Sequence, residues 1–274
     1  MKDFTPEQLD RYARHIVLPK VGGKGQKKLL DSRVFVIGAG GLGSPILLYL
    51  AAAGVGTLEI ADMDRVDRSN LQRQIIHRSS TIGESKIESA RAAIADLNPD
   101  VKVVAHERRV TARNAMELLA NADVIVEGSD NFPTRYAVAD AAFLLRKPLV
   151  SGAMFRFEGQ VTVFPNDGGE DSPCYRCLFP EPPPAGAVAS CQEAGIFGAV
   201  PGVIGSIQAT ETIKVLLGIG EPLIGRLLLF DALAMSFRSV KVRRNPKCAL
   251  NGDRPTITQP QEMELTGEGE GCRA

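Results

Sequence analysis

The chain has 274 residues, 44% of them hydrophobic, which is enough apolar material for one large domain or two small ones. Its 32 basic and 32 acidic side chains cancel, so no general field draws it to nucleic acid or an anionic surface, and DNA is not an expected partner. With no run near the roughly twenty apolar residues of a membrane span and no apolar signal segment at the N-terminus, it reads as a cytoplasmic protein without a membrane partner.

Thr5-Pro6-Glu7 is a helix start, and Leu9, Tyr12, Ala13, Ile16 and Val17 follow at helical spacing, so the first element is an amphipathic helix. A second short helix is expected over 26–30. Continuous apolar strands then alternate with helices. Strands are predicted at 34–37, 57–61, 101–105, 124–126 and 149–150, and helices from Ser44 and over 84–97, 112–120 and 131–145. Repeated βα units predict an α/β, Rossmann-like, doubly wound and mostly parallel sheet.

Past Ser151 the pattern changes. Residues 155–164 alternate and predict an antiparallel pair, and a Gly/Pro-rich loop occupies 166–198. A helix interrupted by glycines is expected over 200–217, with returning strands over 225–230 and 234–242. Residues 258–274 lack periodicity and are expected to be disordered. The reading is therefore one domain over 1–257. It comprises N-terminal helices (5–31), a nucleotide-binding βα part (33–153) and an antiparallel extension (154–257).

Gly38-Ala39-Gly40-Gly41-Leu42-Gly43 fits G-x-G-x-x-G between a strand and a helix, where glycines let backbone amides approach phosphate. Asp62, ending the next strand, stands where a ribose-binding carboxylate would. Those two features alone favour a dinucleotide. The following loop, Asp62-Met-Asp64-Arg-Val-Asp67-Arg-Ser69-Asn70-Leu-Gln-Arg73-Gln74, is rich in cations and amides and suits a triphosphate better. Asp130, ending a later strand, can hold Mg²⁺, and read alone it can also cap the helix that follows.

Five cysteines, with one close pair Cys174-x-x-Cys177, suggest metal or redox chemistry more than a disulfide framework. His15, His77 and His106 have no partner spacing that suggests a metal site or a triad, and each reads as structural.

In combination these motifs resemble the MoeB/ThiF/HesA group of ubiquitin-activating-like adenylyltransferases. The resemblance rests on Arg11-Tyr-x-Arg14, Gly38-x-Gly-Gly-Leu-Gly43, Asp62-x-Asp64, Ser69-Asn70-Leu-x-Arg73-Gln74, Lys86 and Asp130-Asn131. It also includes Cys174-x-x-Cys177 and Cys191 before Gly195-Ile-Phe-Gly198, and spans about residues 5–257.

The resemblance implies ATP-dependent adenylation of the C-terminal Gly-Gly carboxylate of a ubiquitin-fold sulfur carrier protein. Gly41 would then contribute backbone to the nucleotide and Asp62 would bind ribose, with Asp64 beside it. Ser69, Asn70, Arg73 and Lys86 would hold phosphates, and Asp130 with Asn131 would position Mg²⁺. Arg14 would reach the neighbouring subunit's ATP in a homodimer, and Cys191 could take the activated acyl group.

A second C-x-x-C normally completes a Zn²⁺ site. By the resemblance Cys248 would supply a third thiolate, but the final position is Asn251. The resemblance further implies a separate sulfur donor, a cysteine desulfurase or a rhodanese-type protein. A relative acting on a small-molecule or tRNA-borne carboxylate, a non-catalytic scaffold and an NAD oxidoreductase are the alternatives.

Overall fold

Thr5 starts the first helix, α1 (Pro6–Ile16), with a capping box: its hydroxyl accepts from Gln8 N–H, and the Gln8 side chain accepts from Thr5 N–H. The computed structural model describes residues 4–169, 172–184 and 194–263. Tyr12 points inward and covers Gly54, where an added Cβ would stand 2.6 Å from the ring. The second helix, α2 (Gly22–Asp31), begins earlier than its apolar residues suggest. Backbone bonds from Gly22 to Leu18 O and from Gly25 to Val21 O wind the glycines into it.

The strands are β1 (Arg33–Ile37), β2 (Thr57–Ala61), β3 (Lys102–His106), β4 (Val124–Glu127), β5 (Leu149–Phe155), β6 (Glu158–Phe164), β7 (Arg226–Asp231) and β8 (Ser236–Lys241). They form one eight-stranded sheet in the order β3-β2-β1-β4-β5-β6-β7-β8. The first five are joined by parallel pairings, and β5 to β8 pair antiparallel. The α/β expectation therefore holds.

The remaining helices are α3 (Gly43–Ala52), α4 (Lys86–Leu97), α5 (Ala115–Leu119), α6 (Phe132–Leu144), α7 (Tyr175–Leu178) and α8 (Val200–Leu217). Apolar clusters lie on both faces of the sheet. One is built on Val34, Val36, Leu47 and Ile204, the other on Phe35, Ile125, Tyr136 and Val138. Successive residues of one strand serve opposite cores, which is why the parallel strands read as unbroken apolar runs.

Three expectations change. Helix α8 is continuous: Gly205 is a contact, not an interruption, since a Cβ there would come within 2.6 Å of Leu42 O and push α8 off α3. Strand β5 is much longer than residues 149–150, because its first half pairs with β4 and the whole strand pairs with β6. The hairpin turns at Arg156, φ 53°.

Residues 258–263 are not disordered. Gln261 N–H donates to Asp140, Glu262 is ion-paired with Arg113, and Met263 packs on the core. Side-chain anchors order an aperiodic segment that has no repeat to read. Residues 264–274, with Cys272, lie outside the described residues.

Candidate nucleotide-binding site

Strand order reverses between β1 and β4, and the loops leaving their carboxyl ends meet there, as expected for a ligand crevice in an open α/β sheet. Gly38 sits at φ 90°, a conformation glycine adopts freely. Gly43 lies so close behind it that a Cβ would fall 2.0 Å from Gly38 O. A Cβ at Gly38 would in turn lie 3.7 Å from Gly128 O, so the glycine loop and the β4 loop carrying Asp130 are neighbours. Gly41 faces Met154 and Pro201, whose side chains stand 3.2 and 3.3 Å from the place of a Cβ.

Asp62 closes β2 and ties the loops together. Its Oδ2 accepts from Ala39 N–H (2.8 Å) and its Oδ1 from Asp64 N–H (2.9 Å). Burial raises its pKa, and the nearby Lys86 ammonium offsets part of that rise. Lys86 is 4% exposed along its side chain, and its Nζ lies 2.7 Å from Asp64 Oδ2. Its backbone N–H also donates to Asp64 O, so the start of α4 is fixed against the β2 loop.

Between them a 3₁₀ turn, Arg68–Asn70, is capped by Asp67. It leaves Asn70 buried and Ser69 exposed. Arg73 Nη1 donates to Ser69 O (3.1 Å). Gln74 follows, 3% exposed, with an unbonded Oε1 and its amide 3.6 Å from the place of a Gly40 Cβ.

Asp130 and Asn131 divide their labour. Asn131, not Asp130, caps α6: its Oδ1 accepts from Thr134 N–H (3.0 Å). Asp130 is exposed and adds to the negative field around Arg135. Below it lies a network that sequence reasoning missed. Glu127, fully buried, accepts from Ser129 N–H (2.6 Å), and Arg135 Nε lies 3.2 Å from its carboxylate. Arg135 Nη2 also donates to Ser129 O (2.5 Å), which fixes the residue before Asp130. The available signal was an acid closing an otherwise apolar strand.

The structure does not bring every predicted residue into this cluster. Arg14 is exposed on α1. Its motif partner Arg11 is structural, with Nη1 donating to Leu97 O (2.7 Å) at the end of α4. Cys191 lies outside the described residues. The segment after it returns to the site: a Cβ at Gly198 would fall 2.5 Å from Gln72 O. Of the histidines, His15 bonds Gln26 and His106 bonds Glu59, whereas His77 lies against the glycine loop.

A separate cluster joins Cys174, Cys177 and Cys248. Cys174 Sγ is 3.6 Å from each of the other two sulfurs. Hydrogen bonding from Cys174 pulls the Cys177 thiol far down, and the same contacts push Cys174 up. Asn251 stands beside them, its amide donating to Ser172 O (2.7 Å) and lying 4.0 Å from Cys177 Sγ. Arg176, inside the C-x-x-C, is locked to the buried Asp140 by two bonds of 2.6 and 2.8 Å, which anchors the cluster to α6.

Among the described residues no helix is long and apolar enough to cross a membrane. The ThiF family model matches residues 12–250. The chain is 56% identical to the sulfur carrier protein adenylyltransferase of Thermus thermophilus, over 95% of this chain and 97% of that protein. It is 52% identical to the SAMP-activating enzyme E1 of Haloferax volcanii, over 90% of each. It is 50% identical to the adenylyltransferase and sulfurtransferase MOCS3-2 of Zea mays, over 92% of this chain but only 52% of that longer protein.

Among solved structures, PaaA superposes with a TM-score of 0.75 at 22% identity (89% of this chain, 76% of that one). E. coli MccB with succinimide gives 0.76 at 20% (91% and 75%), and at such identities both speak for the fold alone. With the family model spanning most of its length and relatives above half identical beside it, this chain belongs to the ThiF family.

Proposed function

We propose that the protein is an adenylyltransferase that activates the C-terminal glycine carboxylate of a ubiquitin-fold sulfur carrier protein with ATP. The observation that carries this reading is the meeting of the glycine loop, Asp62, Lys86 and the Asp130 loop at one sheet edge, in a chain of this family. The names of the relatives support the carrier as substrate.

A carrier carboxylate is ionised at neutral pH, so the reaction needs alignment and charge neutralisation more than a base. One carboxylate oxygen attacks the α-phosphorus of ATP, the bond to pyrophosphate breaks, and an acyl-adenylate forms.

In this reading Gly41 lends backbone to the nucleotide and Asp62 accepts from the ribose hydroxyls. Ser69, Asn70, Arg73 and Lys86 hold the phosphates. Asp64 keeps the Lys86 ammonium in place until the polyphosphate arrives. Asp130 would hold Mg²⁺, which when bound neutralises phosphate charge, and Asn131 serves by fixing the start of α6 beneath it. The antiparallel part (154–257) receives the carrier. The test is carrier-dependent exchange of labelled pyrophosphate into ATP. Exchange that ignores added carrier, or needs a different carboxylate, overturns the substrate.

The thiol cluster fits zinc: soft donors, close enough to share one ion, lie on a helix-anchored turn. Cys174, Cys177 and Cys248 would hold it, and its contribution is structural. Because Asn251 replaces a charged soft donor, zinc is expected at or below one per chain and easily stripped by chelator. Asn251→Cys is expected to raise both retention and melting temperature. Elemental analysis before and after chelation checks this, and tight zinc in the unmodified chain would show that three thiolates suffice.

A further inference from the structure

His77 takes no part in the chemistry above, yet the fold buries it, 6% exposed, directly behind the glycine loop. Its Nε2 lies 2.9 Å from Ala39 O and its Nδ1 2.9 Å from Ser89 Oγ. A carbonyl only accepts, so Nε2 carries the proton and donates to Ala39. Nδ1 is then an acceptor, and the Ser89 hydroxyl donates to it. The Ser89 oxygen in turn stands 2.9 Å from Thr81 Oγ1, whose hydroxyl also lies within donating distance (3.0 Å) of Arg78 O. Burial, above all, pushes the imidazole pKa down to about 4, so at neutral pH the ring keeps this single proton.

Ala39 is thereby held from both sides: its N–H donates to Asp62 and its carbonyl accepts from His77. In a trans peptide the next N–H points away from the preceding carbonyl, so the His77 bond also sets the direction of Gly40 N–H. That control matters because the loop is mostly glycine, whose backbone is otherwise free to turn.

We propose that His77 is a positioning residue for the nucleotide: as a neutral donor it sets the Ala39–Gly40 peptide, so that the glycine-loop amides are aimed before ATP arrives. The proposal rests on the adenylation reading. The plain alternative is a histidine that only fills space.

Two variants separate them. His77→Phe keeps an aromatic ring but removes the donor, while His77→Gln offers an amide N–H toward the same carbonyl. ATP affinity is read by direct nucleotide titration, and KM and kcat by pyrophosphate exchange. His77→Phe is expected to raise Kd and KM for ATP about tenfold, equivalent to about 1.4 kcal/mol, with kcat changing less than about threefold. His77→Gln is expected to return both within about threefold of the unmodified protein.

An altered melting temperature with an unmoved ATP Kd overturns the proposal, and so does failure of glutamine to rescue. Should His77→Phe not fold, His77→Leu, which also lacks a donor, takes its place, and an unchanged ATP Kd there overturns the proposal. Titration needs no carrier, so ATP binding without any exchange sinks the adenylation reading while leaving the role of His77 to be read from Kd.

Discussion

Asp130→Ala is expected to lower carrier-dependent pyrophosphate exchange by at least about a hundredfold, the scale on which one preorganised electrostatic contact to a transition state acts. Its melting temperature should stay close to that of the unmodified protein. The two expectations are separable because the structure gives neighbouring residues different work. Asn131 supplies the cap of α6, so Asp130 can go without stranding a helix N–H. Asp130 is exposed, and removing an exposed charge shifts stability by within about 0.5 kcal/mol. The buried partner of Arg135 is Glu127, and that ion pair survives the change.

Asn131→Ala should behave in the opposite way, losing about 1 kcal/mol of stability with the cap. Nucleotide binding by the Asp130 variant should persist in weakened form, since Asp62 and the glycine loop are held by bonds that do not involve Asp130. Robust exchange by a folded Asp130→Ala protein would remove Mg²⁺ holding from this residue.

The same pair shows why sequence reveals some features and hides others. Strands β1, β2 and β4 are short apolar runs buried on both faces, so they stand out in any reading, and the glycine loop follows β1 at once. Which of two adjacent residues caps a helix depends on a backbone angle: Asn131 has φ −131° and ψ 139°, and no residue count supplies that.

Glycines in α8 looked like breaks because a glycine has one local meaning in sequence. Gly205 instead answers to Leu42, which lies far away along the chain. His77 gives no signal in the sequence for a related reason. Its partners are a backbone carbonyl and a serine hydroxyl from separate elements, and neither carries a spacing signal. Residues 258–263 read as disordered because they are tethered one contact at a time, without a period. The thiol cluster was the reverse case: spacing alone marks the pair Cys174 and Cys177, and the resemblance adds Cys248, which the structure places beside them.

The other large effect concerns Arg14. Within the opening motif, Arg11 is spent on capping α4 and Tyr12 is buried against Asn98, whereas Arg14 is exposed on the last turn of α1. An exposed arginine is ordinarily solvated and worth little. In a two-fold dimer it can instead be a charge-neutralising finger that reaches the partner's ATP.

Arg14→Ala is then expected to be nearly inactive, like Asp130→Ala. A mixture of the two inactive proteins is expected to regain activity after co-refolding. Free exchange makes about half the dimers mixed, and each mixed dimer has one complete site, in which Arg14 of one chain faces Asp130 of the other. About a quarter of all sites recover. If Arg14 acts within its own chain, every site in the mixture lacks one residue and nothing returns.

The reciprocal mixture asks the same question as a loss of activity, once native mass spectrometry of differently tagged chains has shown that subunits exchange. A chain carrying both substitutions, mixed equally with the unmodified protein, leaves about a quarter of all sites active when Arg14 acts across the interface, but about half when it acts within the chain. With exchange shown, activity at half in that mixture, together with no recovery in the first, assigns Arg14 to its own subunit.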